Sequence, residues 1–278
     1  MDFWTLERSV WAVLREETRP ILLYGMGDGA DKILAQFDIY GIRASGVFAS
    51  DEFVRGHSFH GFQVLKLSEA LAQFGEDIVI VIAFASQRPE VLDKMYTLDT
   101  NYTVYAPDVP VVPGPVFDEA FVQSQADEMQ VAFDLLADEQ SRRVFLDTVR
   151  FKLSGKLQYL RASETNKDEV FHSILRPTHT EHFADLGAYT GDTIRELLHY
   201  TDGAFASVTA LEPDRRSFRK LAGYAQTLVG AIRCEQAGAW SCDTVLRFSD
   251  QAGRQSRVSG QGKETQMRAL DSVLDGAS

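Results

Sequence analysis

Cysteine and basic residues are both scarce in this sequence of 278 residues. The two cysteines, Cys234 and Cys242, are too few for a disulfide framework and lack the spacing of zinc ligands, so free thiols in a reducing compartment are expected. Lysine and arginine total 28 against 40 acidic residues, which gives a formal net charge of −12. This balance argues against a nucleic-acid partner, because binding to a phosphate backbone requires a basic surface.

Long apolar runs are also missing. No stretch approaches the roughly 20 apolar residues that a helix needs to cross a bilayer. The first 19 residues contain several charged side chains, which is unlike a signal peptide. We therefore predict a cytoplasmic protein without a membrane span. With 45% hydrophobic residues, the chain has enough apolar material for one or two globular domains.

The most informative stretch is HFADLGAYTGDT, residues 182–193, which predicts a strand, a glycine turn and the start of a helix. Gly187, Ala188 and Gly191 leave little side-chain bulk in the turn, so a ligand could lie against the backbone. The N–H groups at the helix start suit a carboxylate or a phosphate. A second predicted strand, Ser207–Leu211, ends in Glu212, and an acid at this position can accept the two hydroxyl hydrogens of a ribose.

The turn has the form D-x-G-A-x-x-G-D-T, and the second strand is followed by E-P-D-x-x-x-F-x-x-L. The first motif resembles motif I of class I S-adenosylmethionine-dependent methyltransferases, and the pair is similar to the FkbM family of methyltransferases. The matching positions are Asp185, Gly187, Ala188, Gly191, Asp192, Thr193, Glu212, Pro213, Asp214, Phe218 and Leu221. The alternative explanation is an ordinary βαβ unit with a short glycine turn.

The resemblance implies an enzyme that binds S-adenosylmethionine and methylates an oxygen, with a hydroxyl of a sugar or glycan in glycan biosynthesis as the expected acceptor. The residues that it assigns to cofactor binding are Asp185, Gly187, Ala188, Tyr189, Gly191, Asp192, Thr193, Glu212, Pro213, Asp214, Gln236 and Ala237, the last two on the adenine side. No catalytic base is assigned. Family members usually continue into a D-x-E-G segment that has no match here, so we expect a fragment that is inactive alone and associates as a homodimer.

The N-terminal part of the sequence predicts a second, smaller α/β unit. The predicted strand Ile21–Tyr24 runs into G-x-G-x-x-A, and a helix and further strands follow, including the apolar run Ile78–Phe84. This pattern predicts a small Rossmann-like domain with about four parallel strands. Its candidate nucleotide site consists of Gly25, Gly27, Asp28, Gly29 and Asp51. A purely structural turn is the open alternative, and redox use of NAD rests on this motif alone.

These observations predict an α/β protein with two Rossmann-like domains, the second a partial class I methyltransferase fold, joined by a helical linker. The expected N-terminal domain spans residues 1–106, and residues 107–116 form a linker that holds four of the eight prolines. Residues 117–180 are expected to be a helical linker or lid, and residues 181–278 the methyltransferase-like domain. A helix over Phe3–Glu17 should pack on the body of the protein or on a second subunit.

Histidine spacing gives little support for a metal site. His179 and His182 have the spacing H-x-x-H, but Pro177 and the following strand disfavour the helix that would bring the two rings together. His57 and His60 lie in a predicted loop bounded by glycines, and we expect no metal. The main alternative function is a non-catalytic nucleotide or sugar-nucleotide binding module, or a degenerate methyltransferase.

Overall fold

The computed structural model describes residues 7–54, 56, 58–86, 88–110, 114–248 and 262–274. The chain divides into two compact units, Met1–Glu164 and Thr165–Ser278. Several predicted features lie wholly or partly outside the described residues: the start of the first helix, His57, and residues 111–113 of the proline-rich linker. The same holds, up to residue 261, for the polar, glycine- and serine-rich stretch 251–263, which the sequence predicts to be a loop or hairpin.

The first unit is built on a six-stranded sheet with the order β3-β4-β2-β1-β5-β6. Its strands are β1 (Ile21–Tyr24), β2 (Gly46–Phe48), β3 (Ser58–Phe59), β4 (Phe62–Leu65), β5 (Val79–Ile82) and β6 (Thr103–Tyr105). All neighbouring pairs are parallel except β3 and β4. Every residue of β1 and β5 is buried, as expected of apolar strands that are covered on both faces.

The pair β3–β4 corrects one sequence-based expectation. Residues 57–60 were predicted to be a loop, but Ser58 and Phe59 form a strand that turns through His60 and Gly61 into β4. Both turn residues have positive φ, +47° and +83°, which is the geometry of the tight hairpin turn that matches strand twist. A two-residue turn ending in glycine, with Phe59 before it and Phe62 after it, was the signal for this hairpin.

Four helices of the first unit cover the two faces of the sheet: α1 (Val10–Glu16), α2 (Asp28–Tyr40), α3 (Leu67–Phe74) and α4 (Pro89–Asn101). Trp11 of α1 and Phe37 of α2 pack on one face, and Met95 of α4 packs on the other. Ser9 accepts a hydrogen bond from the Trp11 N–H and so caps α1. Because Trp11 is fully buried, this helix packs on the body of its own unit.

Four more helices belong to the same unit: α5 (Glu119–Ser124), α6 (Ala126–Leu135), α7 (Glu139–Ser154) and α8 (Leu157–Ala162). The Ala106 N–H donates to the Gly155 carbonyl (2.7 Å), and Lys152 pairs with Asp108 (2.7 Å). Leu157 is buried in the same apolar cluster as β5 and α4. These contacts attach the helices to the N-terminal sheet, whereas the boundary assigned from sequence at residues 107–116 stays a prediction.

The second unit contains a βαβαβ arrangement that includes the predicted strand, turn and helix start of residues 182–193 and the predicted strand Ser207–Leu211. Its parallel strands are β7 (His182–Leu186), β8 (Ser207–Leu211) and β9 (Ala231–Glu235), in the order β7-β8-β9. Helix α9 (Lys167–Glu169) precedes them and continues into a π-helical turn, Val170–Leu175, while α10 (Asp192–Tyr200) and α11 (Arg215–Ala225) connect the strands. The buried core of this unit is formed by Ala188, Ile194, Val208, Ala210 and Leu221.

A second small sheet follows, with the order β10-β12-β11. Its strands are β10 (Gly238–Ala239), β11 (Thr244–Phe248) and β12 (Lys263–Arg268), and α12 (Leu270–Leu274) comes after them. The predicted fold class, two α/β units with mainly parallel sheets, is confirmed. Within the described ranges, no helix is both long enough and apolar enough to cross a bilayer.

Candidate functional site

The glycine turn between β7 and α10 is attached to the end of the neighbouring strand. The N–H groups of Gly187 and Ala188 both donate to the Leu211 carbonyl, at 2.8 and 2.9 Å. Gly187 and Gly191 have φ of +97° and +84°, a region in which side chains with a Cβ are strained. A Cβ on Gly191 would lie 2.7 Å from the Tyr224 ring, whereas one on Gly187 would meet nothing within 4 Å. The backbone at Gly187 therefore faces open space, as a ligand-binding turn requires.

Glu212 joins this turn to the start of α11. Its side chain is 6% exposed, and its two carboxylate oxygens accept the N–H groups of Tyr189 (2.8 Å) and Asp214 (2.7 Å). Burial raises the pKa of Glu212, and the two amide hydrogen bonds oppose that rise. Each oxygen keeps a further lone pair, so the carboxylate can still accept hydrogen bonds from a ligand.

Asp185 stands out because its charge is buried without compensation. The side chain is 7% exposed, and Oδ2 has no hydrogen-bond partner in the described part of the chain. Burial, followed by the negative charges of Asp192 and Glu212, raises the pKa of Asp185 to about 6. An unsatisfied buried carboxylate oxygen is costly and rare, so it indicates a place where a positively charged or hydrogen-bond-donating ligand group belongs.

The other predicted residues of the turn have differing environments. Ala188 is fully buried and Tyr189 is about half exposed, while Asp192 and Thr193 lie exposed at the start of α10. Gly191 is the N-cap of α10 and supplies no side-chain cap. The first-turn N–H groups therefore have no capping side chain, as at helix starts that bind a ligand.

Asp214 has a local structural role. Its Oδ1 accepts the N–H groups of Arg216 (3.0 Å) and Ser217 (2.8 Å), which makes it the N-cap of α11. These bonds outweigh the effect of burial and lower its pKa. This capping role is enough to explain an acidic residue at position 214, whether or not a ligand binds nearby.

The residues predicted on the adenine side lie where β9 ends. Gln236 is exposed, whereas Ala237 is 2% exposed and its N–H donates to the Glu235 carbonyl (3.0 Å). A Cβ on Gly238 would lie 2.7 Å from Cε of the buried Met267 in β12. Met267 was not singled out from the sequence, although it is the single large apolar residue in the polar strand KETQMR.

Histidine side chains make ordinary polar contacts. Nδ1 of His182 lies 2.7 Å from the Ser207 hydroxyl, and Nε2 of His60 lies 2.7 Å from Asp31. Among the residues with described positions, no three His, Cys, Asp or Glu side chains are grouped as metal ligands would be.

The N-terminal glycine turn is explained largely by packing. Gly25 has a φ of +116°, and a Cβ there would lie 2.9 Å from the Phe84 ring. A Cβ on Gly29 would lie 2.2 Å from the Ala83 carbonyl oxygen, so only glycine lets α2 approach β5 this closely. Gly27 has open space in front of it, but Asp28 at the start of α2 brings negative charge to the place where a phosphate would bind.

A cavity of about 550 Å³ lies at the carboxyl ends of β1 and β2 in the same unit. Asp51 lines it, as do Tyr24 and Lys94, whereas none of the three glycines does. The further lining residues are Phe48, Ala49, Ser50, Glu52, Leu67, Asp93, Thr97 and Leu98. Of the five residues predicted as one nucleotide site, Asp51 lines this cavity, and the joint site stays a prediction.

Comparison with known proteins supports the α/β fold described above. No family model matches the chain, and no curated protein matches its sequence. Among solved structures, the crystal structure of the methyltransferase FkbM from Methylobacillus flagellatus KT is similar, with a TM-score of 0.60 and 17% sequence identity. The match covers 95% of this chain and 72% of that chain. This chain therefore has a fold similar to that of a methyltransferase.

Proposed function

We propose that this protein is an S-adenosylmethionine-dependent methyltransferase whose cofactor site is the β7–α10 turn together with Glu212. The observation that carries the proposal is the buried, unsatisfied carboxylate of Asp185, next to a glycine turn with open space in front of Gly187. The cofactor has positively charged ammonium and sulfonium groups and ribose hydroxyls that donate hydrogen bonds. Both features complement a site formed by carboxylates.

The predicted residues fit this cofactor in specific ways. Glu212 would accept hydrogen bonds from the ribose, because its oxygens keep lone pairs beyond those used by Tyr189 and Asp214. The turn at Gly187 would approach the methionine part, and Ala237 would lie on the adenine side. Bound S-adenosylmethionine supplies an electrophilic methyl group, so the protein mainly needs to bind and orient donor and acceptor.

The acceptor that we propose is a hydroxyl group of a sugar or glycan. This part of the proposal rests on the resemblance of D-x-G-A-x-x-G-D-T and E-P-D-x-x-x-F-x-x-L to the FkbM family. The fold similarity is compatible with it. The catalytic base is not assigned.

The test is isothermal titration with S-adenosylhomocysteine, NADH and a sugar nucleotide, each against the wild-type chain and a Gly187→Val variant. We expect S-adenosylhomocysteine to bind the wild-type chain and not the variant. A radiolabelled methyl-transfer assay against a panel of glycans then identifies the acceptor. Failure of S-adenosylhomocysteine to bind the wild-type protein would contradict the proposal.

The cavity in the N-terminal unit favours a second candidate function, a binding module for a nucleotide or sugar nucleotide. Its volume is that of ordinary small-molecule sites, and Asp51 lies where an acid accepts ribose hydroxyls. Its lining holds three carboxylates and one lysine, so such a ligand would be held mainly through the hydroxyl groups of its ribose or sugar. In the same titrations, Asp51→Ala should weaken sugar-nucleotide binding and leave S-adenosylhomocysteine binding unchanged.

A further inference from the structure

Helix α11 presents a basic face to solvent. Its exposed basic residues form two rows with a spacing of four, Arg215 with Arg219 and Arg216 with Lys220. Both rows place like charges one helical turn apart, and α11 contains no acidic residue that would offset them. The first two arginines also lie at the positive end of the helix dipole, where basic side chains are unfavourable. The basic face therefore lowers the stability of the helix that carries it.

Within the described residues this basic face has no counter-charge bound to it. None of its four side chains makes a hydrogen bond or an ion pair in that part of the chain. The adjacent Asp214 uses its carboxylate to accept the backbone N–H groups of Arg216 and Ser217. In α2, by contrast, Lys32 pairs with Asp28 one turn earlier at 2.8 Å. The charges of the basic face are thus available to an acidic partner.

Helix α6 has the complementary chemistry. None of its residues is buried, and no lysine or arginine occurs between Lys94 and Arg142. Its exposed residues lie at helical spacing along one side and form an acidic stripe with two apolar members: Asp127, Glu128, Val131, Asp134 and Leu135.

Two features of the acidic stripe indicate that a partner covers it. Val131 and Leu135 are 62% and 80% exposed and lie one turn apart, so they form a continuous apolar patch. The acids beside them make no ion pair with any described residue, and Asp134 accepts a hydrogen bond from Gln130 at 2.8 Å. Basic side chains suit such a stripe, because their alkyl stems cover apolar surface while their charged ends reach carboxylates.

We propose that α6 and α11 form a self-association surface, in which the acidic stripe of one chain binds the basic face of a second copy. A second copy is the occupant because one chain carries both complementary surfaces. The contact can also occur twice between two chains, once in each direction. A net charge of −12 disfavours a nucleic acid or an anionic membrane on the basic face, since long-range repulsion opposes their approach. This inference is independent of the proposed cofactor site.

Charge reversal tests the pairing in the full chain. Arg219→Glu with Lys220→Glu makes α11 acidic, and Glu128→Lys with Asp134→Lys makes α6 basic. Association is measured by analytical ultracentrifugation over a range of protein concentrations, at about 50 mM and about 500 mM salt. The matched control is Arg15→Glu with Arg43→Glu, which changes the net charge as much as the α11 variant does, at exposed positions outside both helices.

We expect the wild-type chain to form species heavier than its 31.1 kDa at low salt. Its dissociation constant should be about tenfold or more lower at about 50 mM than at about 500 mM salt, because salt screens the opposite charges. Each reversed variant alone should be monomeric, since like charges then face each other, and the control should associate as wild type does. An equimolar mixture of the two reversed variants, and a chain with all four substitutions, should associate again.

Restored association cannot arise from misfolded variants, so it separates docking from a structural effect. A wild-type chain that stays monomeric at low salt would overturn the inference. If such a monomer binds heparin and the α11 variant does not, the basic face binds a polyanion instead. Association that survives either reversal, or that the mixture fails to restore, would also overturn it.

Discussion

Replacing Asp185 with asparagine should stabilise the free protein while impairing its site. The pKa of this carboxyl is raised from 3.8 to about 6, because the charged form is buried without a partner beside Asp192 and Glu212. The folded state therefore binds the proton more tightly than the unfolded state does. The resulting stability is fully present below about pH 4 and is lost as the pH rises through about 6.

The size of the effect follows from the two pKa values. A difference of roughly two in pKa corresponds to about 3 kcal/mol of unfolding free energy, as an upper limit. Asparagine has nearly the same shape and no charge, so Asp185→Asn should match wild type near pH 4 and exceed it by up to about 3 kcal/mol near pH 8. Solvent near the carboxyl group screens its charge, so the measured difference should fall below this upper limit.

The assay is urea unfolding of both proteins over this pH range. Asp214→Asn is the control, because the pKa of Asp214 is lowered and its loss of charge should not stabilise the protein near neutral pH. Thermal shift with S-adenosylmethionine, measured in parallel, should show a smaller ligand-induced stabilisation for Asp185→Asn. If Asp185→Asn is no more stable than wild type near pH 8, the carboxylate is not buried without a partner and the reasoning is refuted.

Three further predictions concern the same turn and the domain boundary. Glu212→Ala should weaken S-adenosylhomocysteine binding by about 1–3 kcal/mol in titration. Unchanged affinity in a folded variant would contradict the proposed hydrogen bonds between Glu212 and the ribose. Gly187→Val should abolish that binding, because Gly187 has a φ of +97°, which valine adopts only with strain. Circular dichroism should show that the variant is still folded, and surviving affinity would mean that the cofactor binds elsewhere. Limited proteolysis should cut within residues 107–116, and sustained resistance there would contradict the predicted boundary.

The local parts of the candidate site were predictable from sequence. Glycines at positive φ, an acidic residue at the end of a strand and a helix start are encoded within a few residues of one another. The turn from Gly187 to Gly191 has this form in the structure. The hairpin through His60 and Gly61 was missed because its strands contain only two and four residues, too few for a clear alternating pattern.

Non-local features could not be predicted in the same way. The contact between Gly238 and Met267 joins residues far apart in sequence, and no spacing rule pairs them. The missing partner of Asp185 Oδ2 depends on burial and on the charges of Asp192 and Glu212, which only the folded chain brings together. The assignment of the helices up to Ala162 to the first unit likewise depends on contacts such as Ala106 to Gly155.

The two hydrogen bonds to Glu212 make it a built-in spectroscopic reporter. The amide protons of Tyr189 and Asp214 both point to the same carboxylate, one from the glycine turn and one from the start of α11. Any change in the charge of that carboxylate alters the electric field at both protons. In a ¹⁵N-resolved NMR spectrum, the two amide resonances should therefore titrate with a common midpoint, and a ligand that engages the Glu212 carboxylate should shift both at once.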